Sequence, residues 1–436
     1  MLGTILPMTL NRLARAHAFS RDVWLLSLAT GLLAGAHLGM MQLLKVLYVL
    51  RLGYGPEFVG TLFAAGALSF SLCSVPGGIL GGRFGPRRVM LAGAATTVVG
   101  MAILPLVEVA PLALRPLWPA LVQVIASAGW AVMIVNQVAA LMVFATAENR
   151  KGAYALKEAL AGLGTFLGTL TAGMLPAAFA GPLGLALEGP APYRYALCVS
   201  AAVGATALVP LMLLAEVPGV PRSPARASAA TALLPLAVLM ACAVLNHGAV
   251  ASCRAFAYAY MDTTLRLPTW LIGAITSVGM FLAIPGALAS PRLARRGGSG
   301  HAMLAASFGL VLSLLLMASL EHWAAAGVGV MGVYVVSAVW IPAYQVVQME
   351  MVAPERRSVV AGAASMATSL GFGAMSLAGG YVAAAFGYQR VFLVGVAWAG
   401  LGGLLMGGLL AGRRSGRRGP REPSVMGRAS PSGPGS

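Results

Sequence analysis

The stretch VPGGILGGRFGPRR, residues 75 to 88, decides how the rest of the chain is interpreted. It sets five glycines and three arginines directly after a run that is almost wholly apolar. Such a stretch fits a phosphate-binding loop, a nucleic-acid contact or the turn that a membrane helix makes on reaching water. A phosphate-binding loop follows a strand and ends in Lys-Ser or Lys-Thr, which this stretch does not. We therefore interpret it as a turn at a membrane surface.

Composition supports the membrane interpretation. The chain has 436 residues, of which 59% are hydrophobic and 9% charged, whereas soluble domains carry about a quarter charged residues. The cysteines Cys73, Cys198, Cys242 and Cys253 lie in apolar stretches without a C-x-x-C pattern, which is typical of core residues. No cluster of metal-ligand type is present in the sequence, so we expect neither a metal nor a cofactor.

Twelve apolar runs are long enough to cross a hydrocarbon core, which needs about 20 helical residues. None alternates polar and apolar residues with a period of two, so a transmembrane β-barrel is excluded. The sequence predicts twelve membrane helices, near residues 22–50, 57–81, 88–107, 116–145, 151–179, 194–215, 231–261, 268–290, 300–320, 323–349, 358–385 and 389–411.

The basic residues predict the orientation of these helices. Placing the N-terminus in the cytoplasm assigns 21 of the 29 Lys and Arg residues to cytoplasmic tails and loops. This asymmetry follows the positive-inside rule and accounts for the net charge of +17, so we expect no nucleic-acid partner. We expect a multi-pass protein of the cell (cytoplasmic) membrane, with the lipid bilayer around it and both termini cytoplasmic.

The chain is expected to divide into two halves of six helices each. When the sequence is aligned with itself at an offset of 209 residues, Lys45 matches Arg254 and Arg83 matches Arg292 without a gap. At an offset of 207 residues, later glycines and charged residues match. We interpret these registers as a duplicated unit. The predicted divisions are a cytoplasmic tail at 1–21, a bundle at 22–215, a linker at 216–230, a second bundle at 231–411 and a disordered basic tail at 412–436.

The opening stretch resembles the signature G-x-L-A-D-R-x-G-R-R of the major facilitator superfamily, which lies between its second and third helices. The matching positions are Gly78, Leu80, Gly81, Arg83, Gly85 and Arg87, with Arg88 following, and a weaker copy contains Arg292. The resemblance implies an all-α integral membrane protein with twelve transmembrane helices in two pseudo-symmetric six-helix bundles. It also implies a secondary transporter that works by alternating access, and we expect a monomer.

At several positions the sequence differs from the family motifs, and these differences bear on the type of transporter expected. The signature aspartate is Gly82 in the first copy and Pro291 in the second, so its usual part in stabilising one conformation is missing. Ile125 stands where drug and proton antiporters carry an arginine, and Thr169 stands where they carry a proline. The chain therefore does not resemble a typical proton-coupled drug exporter.

By the resemblance, the first, fourth, seventh and tenth helices line a central cavity. Each carries polar or aromatic residues at helical spacing, and such residues face protein or water more readily than lipid. The alternative is that they form hydrogen bonds between helices. The candidate cavity residues are His37, Met41, Lys45, Gln123, Trp130, Asn136, Gln137, Asn246, His247, Arg254, Tyr258, Tyr344 and Gln348.

Charged residues within the helices suggest the substrate and the coupling ion. Lys45 and Arg254 occupy equivalent positions, each about 10 Å from the outer end of its helix. They either extend to the interface or present two cations to an anionic or amphipathic small-molecule substrate. Glu158 is the one acid well inside a predicted helix, where it either carries a coupling proton or forms a fixed ion pair, for example with Arg254.

These features predict a secondary active transporter for a small solute, with efflux favoured over uptake by the resemblance. The alternative is a transporter-fold protein that senses a ligand or organises a membrane complex without moving solute. We do not expect an enzyme, because the sequence has no nucleophile and base at usable spacing. It also lacks the nucleotide-binding loop of an ATP-driven pump.

Overall fold

The computed structural model describes residues 19–111, 113–146, 148–216, 233–352 and 357–416. It contains twelve helices long and apolar enough to cross a membrane. We number them α1 Arg21–Arg51, α2 Pro56–Phe84, α3 Pro86–Glu108, α4 Trp118–Phe144, α5 Gly152–Leu183, α6 Ala191–Met212, α7 Leu234–Thr264, α8 Thr269–Ser290, α9 Ser299–Ser319, α10 Trp323–Glu350, α11 Val360–Phe386 and α12 Tyr388–Ala411.

The predicted membrane spans are confirmed, with ends that move by up to four residues. Several helices begin at a proline, as α2 does at Pro56 and α3 at Pro86, because the first turn has no partner for a backbone N–H. The turn between these two helices is Gly85, whose φ of 88° disfavours any side chain. Gly298 makes the corresponding turn before α9 with φ 86°. The predicted N-terminal tail, linker and C-terminal tail lie mostly outside the described residues.

Successive helices run in opposite directions and pack into two groups, α1–α6 and α7–α12. Between the groups, α2 packs against α11 and α5 against α8, and α7 also contacts α1 and α2. We call one end of the bundle the Arg51 end, where α1 and α7 finish and α2 and α8 begin. The opposite end, which carries Arg83 and Arg292, is the basic end.

Close packing within each half depends on glycine. A Cβ atom at Gly164 of α5 would overlap the carbonyl oxygen of Gly31 of α1. At the equivalent place in the second half, a Cβ atom at Gly371 of α11 would overlap the carbonyl oxygen of Val244 of α7. Absence of side chains lets membrane helices approach to backbone contact. The first and fifth helices of each half thus pack through the same kind of close contact.

Two of the helices that the resemblance places around a cavity contain a π-helical segment. In α1 it covers Gly35–Met40, and in α7 it covers Tyr260–Thr264 at the end of the helix. A π turn holds about one residue more than an α turn and occurs often at functional sites. The α1 segment explains a register difference between the halves: His37 and Lys45 are eight residues apart, whereas His247 and Arg254 are seven apart. With this extra residue, the two pairs occupy equivalent places.

Candidate functional site

An ion pair joins the two halves at the Arg51 end. The guanidinium of Arg51 donates two hydrogen bonds of 2.7 Å to the two carboxylate oxygens of Asp262, which lies in the π-helical end of α7. The Asp262 side chain is 4% exposed. A two-point Arg–carboxylate contact fixes orientation as well as distance. Sequence reasoning missed this pair because it assigned Arg51 to a loop and no role to Asp262.

Further contacts close the same end. The Tyr193 hydroxyl of α6 lies 3.0 Å from Thr269 Oγ1 of α8, and the Tyr193 ring lies 5.4 Å from the Arg51 guanidinium. On α2, Gly60 packs so closely on α11 that a Cβ atom would overlap the carbonyl oxygen of Ser376. The Arg51 end is therefore closed by polar contacts and by direct backbone packing.

The halves separate toward the basic end. Among the described residues, the ring contact between Phe166 and Phe281, at 5.6 Å, is one of the innermost contacts between the halves. Phe281 lies about 18 Å along α8 from Thr269, at 1.5 Å per residue. Among the described residues, α4 and α10 form no extensive interface with each other. From this distribution of contacts we infer that a recess opens between the halves at the basic end.

Arg254 is an exposed cation on a helix that lies between the halves, and we infer that it faces this recess. Helix α7 packs on α11 and α12 on one side and on α1 and α2 of the other half, so it is an internal helix. The residues next to Arg254 along the chain, Cys253 and Ala255, are buried, whereas Arg254 itself is exposed. Its guanidinium lies 5.0 Å from the centre of the Tyr334 ring. Within the described part of the chain, Arg254 forms no ion pair and no hydrogen bond.

The ring of Tyr334 identifies the face of α10 that lines the recess. Ile341 and Gln345 lie on the same face at helical spacing, and both are exposed. Tyr258 of α7 is 4% exposed and lies beside Tyr334. Gln345 is thus exposed, whereas its neighbour Tyr344, a predicted cavity residue, is buried.

Lys45, at the equivalent position in the first half, is enclosed. Its side chain is 2% exposed, and its ammonium group donates a 2.8 Å hydrogen bond to Gln123 Oε1 of α4. The Gln123 amide in turn donates to Ser127 Oγ at 2.9 Å. On another side, the ammonium lies 4.5 Å from the centre of the Phe63 ring. Lys45 therefore does not extend to the membrane interface.

Each half contains one histidine against a tryptophan, between its first and fourth helices. The rings of His37 and Trp130 are 5.4 Å apart, and so are those of His247 and Trp340. His37 is 3% exposed, whereas His247 is half-buried. The second pair continues into Tyr344, whose ring stacks on Trp340 at 4.8 Å. Of the two histidines, His247 is the more exposed.

Several other candidates hold helices together. Asn136 donates to the carbonyl oxygen of Gly77 at 2.9 Å and packs over Gly81 of the signature, and Gln137 donates to Thr30 Oγ1 at 2.9 Å. Gln348 donates to the carbonyl oxygen of Val360 at 3.0 Å. The buried candidates include Met41, Asn136, Gln137, Asn246, Tyr344 and Gln348.

Glu158 lies on an exposed face of α5. Its side chain is 69% exposed, and its carboxylate lies 2.7 Å from the ammonium group of Lys157, the residue before it. Glu158 shares a helical face with Thr169, whose hydroxyl lies 3.3 Å from Met280 Sδ of α8. The partner of Glu158 is thus Lys157, and Arg254 contacts Tyr334 instead.

The signature loop obtains a carboxylate from elsewhere in the chain. Arg87 and Arg88 lie 3.6 Å and 3.1 Å from the carboxylate of Glu216, just after α6, and Arg87 also donates to the Met212 carbonyl oxygen at the end of that helix. Glu216 therefore supplies one carboxylate to the loop where Gly82 replaces the signature aspartate. Among the described residues, no group of three or more His, Cys, Asp or Glu side chains is placed to hold a metal ion.

Comparison with known proteins identifies the family. The sequence model of the Major Facilitator Superfamily matches residues 23–372. The chain belongs to the major facilitator superfamily. No curated protein matches the sequence significantly.

Solved structures of superfamily transporters share the fold at low sequence identity. A mutant of the nucleoside transporter NupG has a TM-score of 0.72 at 13% identity, with 89% of this chain and 98% of that chain covered. A bacterial homologue of the human lysosomal transporter Spinster, inward-facing and unoccupied, has a TM-score of 0.68 at 14% identity, covering 91% and 98%. The D-xylose–proton symporter has a TM-score of 0.68 at 16% identity, covering 89% and 97%.

These findings show that the chain is a multi-pass membrane protein of a transporter superfamily. Among the described residues, Arg254 is an exposed cation on an otherwise buried stretch of α7. The expected twelve-helix fold is confirmed. The assignment of the candidate residues to a substrate cavity stays a prediction.

Proposed function

We propose that this protein is a secondary transporter for a small organic anion, which binds in the recess with its acidic group on Arg254. The observation that carries the proposal is the exposure of Arg254 within a buried stretch of α7, without an acidic partner among the described residues. A charged side chain at membrane depth is costly unless it has a counter-charge or serves a pathway. A substrate anion supplies that counter-charge.

The neighbours of Arg254 suggest the rest of the substrate. Tyr334 and Tyr258 offer rings and hydroxyl groups beside the guanidinium, and His247 lies about 10 Å further toward the basic end, seven residues along α7. Gln345 adds an exposed amide on α10. A compact anion with an apolar or aromatic body fits this mixture of one cation, aromatic surface and few polar groups.

We propose that the basic end is cytoplasmic and that the net direction is efflux. The first follows from the positive-inside rule applied to the loops at that end. The second follows from the family resemblance. For coupling we retain Glu158, an exposed carboxylate on the face of α5 that turns toward α8. The Glu158→Gln variant should lose accumulation driven by a pH gradient and keep substrate exchange. Unchanged accumulation would remove Glu158 from the mechanism.

The test begins with the purified protein and a library of organic anions, each paired with a neutral analogue. An anion that binds should raise the melting temperature, and its amide or ester should not. Hits are then measured as counterflow in liposomes. Arg254→Gln should lower the apparent affinity at least tenfold, equivalent to about 1.4 kcal/mol.

The matched control is Arg266→Gln, which removes the same charge from an exposed position after α7, outside the recess. This variant should behave like the wild type. If Arg254→Gln transports every hit normally, the proposed anion site is wrong. Binding of anions without any counterflow would favour the sensor or organiser alternative over transport.

A further inference from the structure

Lys45 is a buried cation with incomplete compensation. Its ammonium group has three N–H donors, and it makes one hydrogen bond, to the neutral amide oxygen of Gln123. The other contact is the face of the Phe63 ring, at 4.5 Å. No carboxylate forms an ion pair with Lys45 among the described residues. Burying an ammonium group inside a membrane protein, with only an amide oxygen and an aromatic ring as partners, costs free energy. We therefore expect Lys45 to have a function.

The cover over Lys45 is part of the contact between the halves. Phe63 belongs to α2, and its ring lies 6.3 Å from that of Phe372 on α11. This contact lies among those that hold the Arg51 end closed, between the close approach at Gly60 and the one at Gly373. Any movement that opens the Arg51 end must separate α2 from α11 at this level. Such a movement exposes Phe63 first and then Lys45 behind it.

The distance of Lys45 from the Arg51 end fits this sequence of events. Lys45 lies six residues before Arg51 on α1, which is about 9 Å along the helix axis. Arg51 itself pairs with Asp262 across the interface. When that pair breaks, Lys45 is the next cation that an entering or leaving solute meets.

We propose that Lys45 is a second anion-binding group, covered by Phe63 in this conformation and uncovered when the halves part at the Arg51 end. This inference rests on the proposed anion transport and deepens it. Arg254 serves the conformation open at the basic end, and Lys45 serves the opposite one. A carboxylate reaching the uncovered ammonium supplies the missing counter-charge and stabilises that conformation. The expected ligand is a small carboxylate anion, which binds one of these two cations in each conformation.

Chemical modification of lysine tests this directly, because the chain has only Lys45, Lys151 and Lys157. Purified full-length protein is treated with a water-soluble acetylating reagent, and each lysine is quantified by mass spectrometry. In the wild type we expect Lys45 to react slowly. The Asp262→Asn variant, which breaks the ion pair, should accelerate acetylation of Lys45 about tenfold, in proportion to the larger open population.

A second pair of variants tests the cover itself. Phe63→Ala should expose Lys45 with the ion pair intact, whereas Phe58→Ala, the same truncation on the same helix, should not. Phe58 stacks on Tyr54 at 4.3 Å and is not part of the contact with Lys45. Because Asp262→Asn leaves Arg51 without a counter-charge, the double variant Arg51→Gln with Asp262→Asn repeats the test with both charges removed. Lys157 reports general unfolding, so its rate should stay unchanged.

Benzoate is the probe for anion binding, compared with chloride at the same concentration. In the Asp262→Asn variant, benzoate should slow acetylation of Lys45 several-fold and leave Lys157 unaffected. Lys45 that stays unreactive in all the opened variants would overturn the proposal. So would reactive Lys45 that benzoate does not protect. Neither result depends on Arg254-dependent counterflow, so failure of this proposal is distinguishable from failure of the proposed function.

Discussion

Lys45 and Arg254 stand at equivalent positions of the two halves, and the structure treats them differently. Lys45 is 2% exposed and hydrogen-bonded to Gln123, whereas Arg254 is exposed to the recess with only a ring contact to Tyr334. Their surroundings account for the difference. The fourth helix offers Gln123 as an acceptor to Lys45, whereas Arg254 has no hydrogen-bond acceptor among the described residues. Equivalent cations thus differ in access in this conformation: Arg254 is exposed and Lys45 is enclosed.

Reversing the charge should separate the two positions most strongly. Arg254→Glu places a carboxylate in an open recess, so the protein should fold normally and lose anion counterflow at least 100-fold, about 2.7 kcal/mol. Lys45→Glu places a carboxylate in an enclosed site without a cation, which costs several kcal/mol, so this variant should be recovered poorly or melt early. Size-exclusion chromatography in detergent, melting curves and counterflow measure both effects.

Arg266→Glu is the control for charge reversal alone, because Arg266 is exposed outside the recess. The expected contrast between the two positions would be wrong if the Lys45→Glu variant were as stable as the Arg254→Glu variant. Lys45 would then have water around it in the conformation described, contrary to its enclosure.

Removing the polar partner of each cation sharpens the same contrast. Gln123→Leu leaves the Lys45 ammonium without an acceptor and should destabilise the protein by about 2 kcal/mol. Tyr334→Leu removes one ring beside an exposed guanidinium and should cost less than about 1 kcal/mol of stability, with a several-fold loss of anion affinity. Melting temperature and apparent affinity are measured for both variants.

A double variant provides the control for the buried partner. Lys45→Met combined with Gln123→Leu removes both polar groups, so most of the stability lost in Gln123→Leu should return. If the double variant is no more stable than Gln123→Leu, the single variant acts through packing, and the hydrogen bond to Lys45 is not its cause.

Substitutions at the close glycine contacts should have similar effects in the two halves, unlike substitutions of Lys45 and Arg254, because each half has such a contact. Gly164→Ala and Gly371→Ala each introduce a methyl group against a backbone carbonyl, and each should destabilise the protein by about 1 to 2 kcal/mol. The controls are Gly162→Ala and Gly362→Ala, on the same two helices, where nothing lies within 4 Å of the added atom. These controls should be neutral or slightly stabilising in melting curves. Unequal losses at Gly164 and Gly371 would show that the repeat is not preserved in packing.

The sequence was sufficient for the fold because the information was local. Runs of about 20 apolar residues separated by basic turns predict twelve helices, and the glycine at residue 85 marks a turn that its φ of 88° requires. The repeat registers also predicted that Lys45 and Arg254 are equivalent. Hydrophobicity and spacing suffice for statements of this kind.

The site was harder to predict because exposure depends on which helices meet. Spacing alone could not tell Gln345, which is exposed, from Tyr344, which stacks on Trp340. Nor could it show that Asp262 meets Arg51, since the two are 211 residues apart and the pair forms only when the halves close. The extra residue of the π-helical segment in α1 likewise has no signal in composition, although it determines the register of His37.

The smallest expected effect comes from one hydroxyl at the closed end. Tyr193→Phe removes the hydrogen bond to Thr269 across the halves and retains the ring against Arg51. Losing this hydrogen bond should make opening of the Arg51 end about 1 kcal/mol more favourable, which increases the open population by a factor of about five. Acetylation of Lys45 should rise by that factor, while the melting temperature changes little.

Tyr54→Phe is the matched control, since the Tyr54 hydroxyl donates to the Arg115 carbonyl oxygen within one half at 2.9 Å. Equal acceleration in both variants would mean that Lys45 becomes reactive through local loosening of the first half, and that its access is independent of separation of the halves.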